Sequence, residues 1–253
     1  MDPNSKLPID PFGSVVAPSL YVSRDATERV LAELLDCGSE MARPAVILGP
    51  PGIGKSLLLQ LVAERLAGHG PQVLLAYPRL NIEGLCTWVL DRLDGPRFED
   101  PVFAFESYLC HLREIGSSLL LLIDDLSAMP LSTVRWLGSR ALDSKGELRL
   151  IASALNDLSG QERIVPLGPA CETILLETPM TLSESTKYLR ERLQHAGAPE
   201  VAAARFDSAT IAELHRCSVG NPREFNSAAG RLLMTLPTIR PPTVQSASDS
   251  MGT

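Results

Sequence analysis

The sequence predicts an α/β fold: a parallel β-sheet with helices on both faces, followed by a small all-helical domain. Three observations predict it. Short, almost wholly apolar runs alternate with helix-length amphipathic stretches up to about residue 178. A glycine-rich turn joins one such run to the helix behind it. Beyond about residue 180 the strand-like runs stop and only helical patterns remain. Strands separated by helices imply parallel crossovers rather than hairpins.

The elements follow in order. Pro44-Ala45-Val46-Ile47-Leu48 is an apolar, β-branched run of the kind that fills a buried parallel strand. Residues 57–66 read as a helix, and Gln72-Val73-Leu74-Leu75-Ala76-Tyr77 as a second strand. Helical stretches at 82–93 and 102–115 lead to the fully apolar Leu119-Leu120-Leu121-Leu122-Ile123. Residues 131–142 are helical, Arg149-Leu150-Ile151-Ala152-Ser153 is a strand, and Thr173-Ile174-Leu175-Leu176 is a fifth. Ligands of such sheets bind at the carboxyl ends of the strands.

Thr181-Leu182-Ser183-Glu184 has the spacing of a capping box and opens a helix reaching about residue 194. Asp207 caps a second helix ending at Cys217, with Gly220 placed to terminate it, and a third runs over 222–234. The expected organisation is an extended N-terminal segment (1–19), an α/β core (20–178), a helical lid domain (179–236) and a disordered polar, proline-containing tail (237–253).

The turn after the first strand carries the chemistry. Gly49-Pro50-Pro51-Gly52-Ile53-Gly54-Lys55-Ser56 fits G-x-x-x-x-G-K-[ST], the phosphate-binding loop. Its glycines let successive backbone N–H groups approach phosphate oxygens. Lys55 supplies a point charge for the β- and γ-phosphates, the Ser56 hydroxyl suits Mg²⁺, and the helix from Leu57 points its positive end at the nucleotide. A second signal lies about 70 residues on, where the buried strand 119–123 delivers Asp124-Asp125. A carboxylate there suits Mg²⁺ coordination, so Asp124 is the expected metal partner of Ser56. Asp125 is then placed as general base, although its carboxylate reaches one methylene less far than a glutamate's. The expected ligands are therefore ATP or ADP with Mg²⁺.

Composition narrows the partners. Acidic residues outnumber basic ones 30 to 23, a net charge of −7, which gives no global drive toward DNA or anionic membranes; DNA binding is possible but not favoured. Five scattered cysteines without a C-x-x-C pair read as buried small hydrophobes in a reducing compartment, and the four histidines show no ligand spacing. No run approaches a membrane span and residues 1–11 lack an apolar signal region, so the expectation is a cytoplasmic protein without membrane insertion.

The order of phosphate loop, LLLLIDDL, strand ending in Ser153 and helical lid with Gly220-Asn221-Pro222-Arg223 resembles an AAA+ ATPase. More narrowly it resembles the ExeA/GspA-type ATPases of bacterial secretion and pilus systems and their transposition relatives TniB, TnsC and MuB. Asp10-Pro11-Phe12-Gly13, the stretch from Leu20 to Ala26 and Leu182 to Leu193 carry this likeness, which covers about residues 10–235. It implies that Ser153 or Asn156 touches the γ-phosphate side, and that Arg223 together with Pro222 reaches the phosphates from the lid. Tyr21 and Val22 would lie near the adenine. It also implies an arginine contributed by a neighbouring subunit, Arg163 or Arg140, and hence a nucleotide-dependent homo-oligomer that remodels or positions a protein partner. Two departures stand out. The family's Asp-Glu pair is Asp124-Asp125 here, as in the signalling STAND ATPases, so slow hydrolysis or switch behaviour is expected. Full-length ExeA-type proteins often continue into a membrane span and a peptidoglycan-binding domain, whereas this sequence stops after the lid, so its effector role is expected on its surface or in a partner.

Overall fold

A computed structural model describes residues 10–13, 18–39, 43–143, 146–198 and 200–234. Its strands are β1 (Ala45–Gly49), β2 (Gln72–Leu75), β3 (Leu119–Ile123), β4 (Leu148–Leu155) and β5 (Glu172–Leu175). The core helices are α1 (Asp25–Ser39), α2 (Lys55–Arg65), α3 (Ile82–Arg92), α4 (Pro101–Glu114), α5 (Leu131–Asp143) and α6 (Leu158–Ile164). The lid contains α7 (Leu182–His195), α8 (Glu200–Ala203), α9 (Ser208–Ser218) and α10 (Pro222–Met234).

All strand pairs are parallel, in the order β2-β3-β4-β1-β5. Every residue of β1 and β3 is buried, which explains why these strands read as unbroken apolar runs rather than alternating ones. The pleat sends successive side chains to opposite faces. Leu119, Leu121 and Ile123 pack with Val46, Leu48, Leu150 and Ala152 under α3, α4 and α5. Leu120 and Leu122 pack with Ala45, Ile47 and Ile151 under α1 and α2. The sheet is thus covered on both faces, as expected.

α1 is a helix the strand-and-helix pattern had not placed. Its Val30, Leu31, Leu34 and Cys37 recur at helical spacing and close the second face of the sheet. The short helices α6 and α8 were not anticipated either, and β4 runs two residues beyond the expected Ser153.

In the lid, Thr181 Oγ accepts from Glu184 N at 3.2 Å while Glu184 Oε2 accepts from Thr181 N at 2.8 Å, the reciprocal box that the spacing predicted. Asp207 caps α9 through Thr210 N at 2.7 Å. The left-handed exit from α9 begins at Val219 (φ 51°), one residue before Gly220. Gly220 serves close packing as well: a Cβ there would come within 2.2 Å of the Met180 carbonyl in the connection between core and lid.

The N-terminal segment belongs partly to the lid. Phe12 stacks edge-on against Phe206 at 5.9 Å, and Phe12 and Val22 join Met180, Leu189 and Phe225 in the lid's own core. Residues 18–20 form a 3-10 turn, with Leu20 fully buried. Arg192 fastens this segment: its Nε donates to Pro11 O at 2.6 Å and its Nη1 to the Tyr188 hydroxyl at 3.1 Å. Residues 1–9 and the tail 237–253 lie outside the described residues.

Cys37 and Cys86 are buried, and burial pushes their thiols up to about 11 and about 12. Cys110 and Cys217 are exposed, against the expectation that all five are buried, because they fall on outward faces of α4 and α9. No described helix is long and apolar enough to cross a membrane.

Candidate functional site

In the sheet β1 is the neighbour of β4; the connection leaving the carboxyl end of β1 runs toward β2 and the one leaving β4 runs the opposite way, toward β5, which opens a crevice at these strand ends. The phosphate loop fills that end. Gly52 has φ +81° and Gly54 φ +118°, backbone that side-chain-bearing residues rarely adopt. Gly52 is constrained a second time: a Cβ would come within 2.6 Å of Arg223 Cβ and 2.7 Å of Asn221 Oδ1. The loop therefore accepts the lid at a position where only hydrogen fits.

The lid is docked on the loop. Asn221 Nδ2 donates to Pro51 O at 2.9 Å and Arg223 N to Gly52 O at 3.2 Å. Asn221 Oδ1 meanwhile accepts from Arg223 N at 3.0 Å and so covers the open end of α10. One side chain both caps a lid helix and holds it to the phosphate loop.

Between core and lid lies a cleft of about 1030 Å³. Pro51, Gly52, Gly54, Lys55, Ser56 and Leu57 line its floor, Asp124, Asp125 and Ser153 one wall, and Pro222 and Arg223 the lid side. Lys55 Nζ donates to Gly49 O at 2.6 Å and Pro50 O at 2.9 Å, folded back on its own loop. Burial holds its ammonium below the usual lysine range, with Arg223 adding to that effect and Asp124 opposing it. Ile53 is buried beneath the loop, in the core shared by α1 and α2.

Strand register builds the acidic wall. Ile123 pairs with Ala152, so the next residues, Asp124 and Ser153, stand side by side. Ser153 Oγ donates to Asp124 Oδ1 at 2.6 Å and accepts from Asp125 N at 2.9 Å. Asp125 adopts φ 59°, ψ 71°, and its Oδ1 accepts from Ser127 Oγ at 2.7 Å. Aspartate tolerates this left-handed backbone better than most residues. The hydroxyl of Ser56 and the carboxylate of Asp124 are hard oxygen ligands, and no cluster of three or more His, Cys, Asp or Glu residues suits a metal among the described residues. The donor set fits a Mg²⁺ ion that takes its remaining ligands from water and phosphate.

Other sequence-derived candidates are placed differently. Asn156 turns away from the cleft to bond Glu177, which leaves Ser153 as the polar residue at the acidic pair. Tyr21 and Val22 are not among the cleft-lining residues. The Tyr21 hydroxyl is tied to Thr27 and Glu28 at 2.8 Å, and Val22 is buried in the lid core. Phe12, Gly13, Tyr188, Arg192 and Asn226 line that end of the cleft instead. Neither trans candidate lines it: Arg140 pairs with Glu106 at 3.2 Å, and Arg163 sits in the last turn of α6. Sequence reasoning also passed over Tyr77, Pro78 and Arg79, which line the cleft just beyond β2. The rule that ligands sit at the carboxyl ends of strands would have flagged them.

Residues 39–161 match the model of the AAA domain family. Similar solved structures include the Cdc6p protein of Pyrobaculum aerophilum, 19% identical with a TM-score of 0.59, covering 88% of this chain and 62% of that one. The ORC2 protein of Aeropyrum pernix, solved as ADPNP–ADP complexes, is 15% identical with a TM-score of 0.57, covering 88% and 64%. RuvB of Thermotoga maritima is 16% identical with a TM-score of 0.52, covering 84% and 61%. The chain thus spans less than two thirds of the length of each of these proteins. No curated protein sequence matches it.

Proposed function

For a chain with the fold of an AAA+ P-loop ATPase, we propose that it binds ATP with Mg²⁺ between core and lid, hydrolyses it slowly, and uses the nucleotide to drive self-assembly. The observation that carries this reading is the convergence of Lys55, Asp124 and the lid residue Arg223 on one cleft at the end of the sheet. The chain has three tasks there. The loop amides and Lys55 neutralise the phosphates, once Lys55 leaves the carbonyls of Gly49 and Pro50. Ser56 and Asp124 would hold the metal, which supplies charge neutralisation across the β- and γ-phosphates. Asp125 orients the attacking water and takes its proton, with Ser153 holding the backbone from which its carboxylate projects.

Arg223 lies on the lid, so the γ-phosphate rewards one angle between the two domains. That angle presents a composite surface which a second copy can match head to tail, with Arg163 or Arg140 reaching across. The work of such an assembly would be to position or remodel a protein partner, in the manner of the secretion-type ATPases that the sequence resembles. Titration calorimetry with ATP–Mg²⁺, followed by phosphate release and light scattering, tests the reading. Binding by the wild-type chain, strong loss in Lys55→Ala, and a mass increase with ATP but not ADP are the expected results. Equal ATP affinity in Lys55→Ala would overturn the site, and a monomer with ATP at high concentration would overturn the assembly.

A further inference from the structure

The lower wall of the cleft contains a cation that the phosphate loop, the acidic pair and the lid do not account for. Arg79 lines the same cleft as Lys55, Asp124 and Arg223, and lies at the carboxyl edge of the sheet just beyond β2. β2 is the neighbour of β3, and Asp124 N donates to Leu75 O at 2.9 Å, so the chain leaving β2 starts beside the metal-binding carboxylate.

The backbone on either side of Arg79 is anchored. Pro78 is buried, Leu80 O accepts from the hydroxyl of the fully buried Thr133 at 3.0 Å, and Asn81 caps α3 through Gly84 N at 2.9 Å. The Arg79 side chain is exposed, and among the described residues no carboxylate lies within ion-pair distance of it. Arg140 is committed to Glu106, and Arg163 does not line the cleft of its own chain. An arginine on an anchored backbone, lining the cleft with no carboxylate partner among the described residues, can turn its charge to an anion bound there.

We propose that Arg79 contacts the terminal phosphate of ATP in cis and supplies, from within the same chain, charge compensation on the transferring group. This rests on the ATP reading above. The guanidinium fork can donate to two oxygens of the γ-phosphate at once, and ADP offers it no such group. Arg79 therefore separates ATP from ADP, and turnover does not depend wholly on a neighbour's arginine.

The test combines calorimetry with subunit mixing. Arg79→Ala should bind a non-hydrolysable ATP analogue with Mg²⁺ about tenfold more weakly than the wild type while its ADP affinity stays within about twofold, the size of one charge-assisted contact. Arg79→Lys should recover part of the loss. Mixing Arg79→Ala with Lys55→Ala should not restore phosphate release, since an arginine acting in cis cannot serve the other chain's site. Unchanged analogue affinity in Arg79→Ala, or turnover restored on mixing, would overturn the assignment. Parallel loss for analogue and ADP would overturn it too, by placing Arg79 away from the γ-phosphate. A wild-type chain that binds neither nucleotide would remove the ATP reading and this proposal together.

Discussion

Replacing Ser153 by alanine removes one oxygen and almost no volume from a position that is 1% exposed. That oxygen makes two bonds: it donates to Asp124 Oδ1 at 2.6 Å and accepts from Asp125 N at 2.9 Å. A hydrogen bond to a charged group contributes about 1.5–3 kcal/mol, and an amide left without a partner costs about 1–3 kcal/mol when water is excluded. Asp125 is itself exposed, so water can reach its amide and the second penalty falls at the low end. The expected loss is about 2.5–4 kcal/mol, or roughly 5–15 °C in melting temperature for a chain of this size. A thermal melt monitored by circular dichroism measures it. Because Ser153 also orients Asp124, the carboxylate proposed to hold Mg²⁺, Mg²⁺-dependent ATP affinity should fall about tenfold in the same variant. A melting temperature within about 1 °C of the wild type together with unchanged Mg²⁺ dependence would refute the idea that Ser153 organises the acidic pair.

Asp125→Asn should abolish phosphate release with ATP affinity nearly intact, since Asp124 remains; equal turnover would make Asp125 an ordinary turn residue. Asp125→Glu gains a methylene of reach but must hold glutamate at φ 59°, so it should lower stability by about 1 kcal/mol and not raise turnover; a faster enzyme of unchanged stability would contradict this. Val219 is β-branched, 77% exposed and held at φ 51°, so Val219→Gly should stabilise the chain by about 1 kcal/mol, read as a higher urea midpoint. For Glu184, burial works against ionisation, but the Thr181 amide and Arg24 outweigh it and hold the carboxyl below its ordinary value. Its contribution to lid docking is complete above that ordinary value, about 4.5, and is lost as pH falls through the lower folded value. Hydrogen-exchange protection of the first turn of α7, taken relative to the intrinsic rate at each pH, should fall over that acid range, and Glu184→Gln should flatten the dependence.

What the sequence determined by itself was local chemistry and periodicity. Residues 119–123 are apolar at every position because β3 is covered on both faces, and that requirement is visible without coordinates. The phosphate loop is equally legible, since its glycines, Lys55 and Ser56 act within one turn of backbone. The capping box at Thr181 is read for the same reason: its two bonds join residues three apart. Tertiary structure decided everything that depends on register and long-range packing. Ser153 rather than Asn156 meets the acidic pair because parallel pairing sets Ile123 beside Ala152, an alignment that no spacing along the chain encodes. Phe12 and Gly13, rather than Tyr21 and Val22, line one end of the cleft because Arg192 fastens the N-terminal segment to a helix some 180 residues away. Arg79 enters the same cleft because β2 is placed next to β3, which only the assembled sheet brings about. Short-range bonds leave a pattern in sequence because their geometry repeats with the chain; contacts across the sheet and between domains depend on where the whole chain goes.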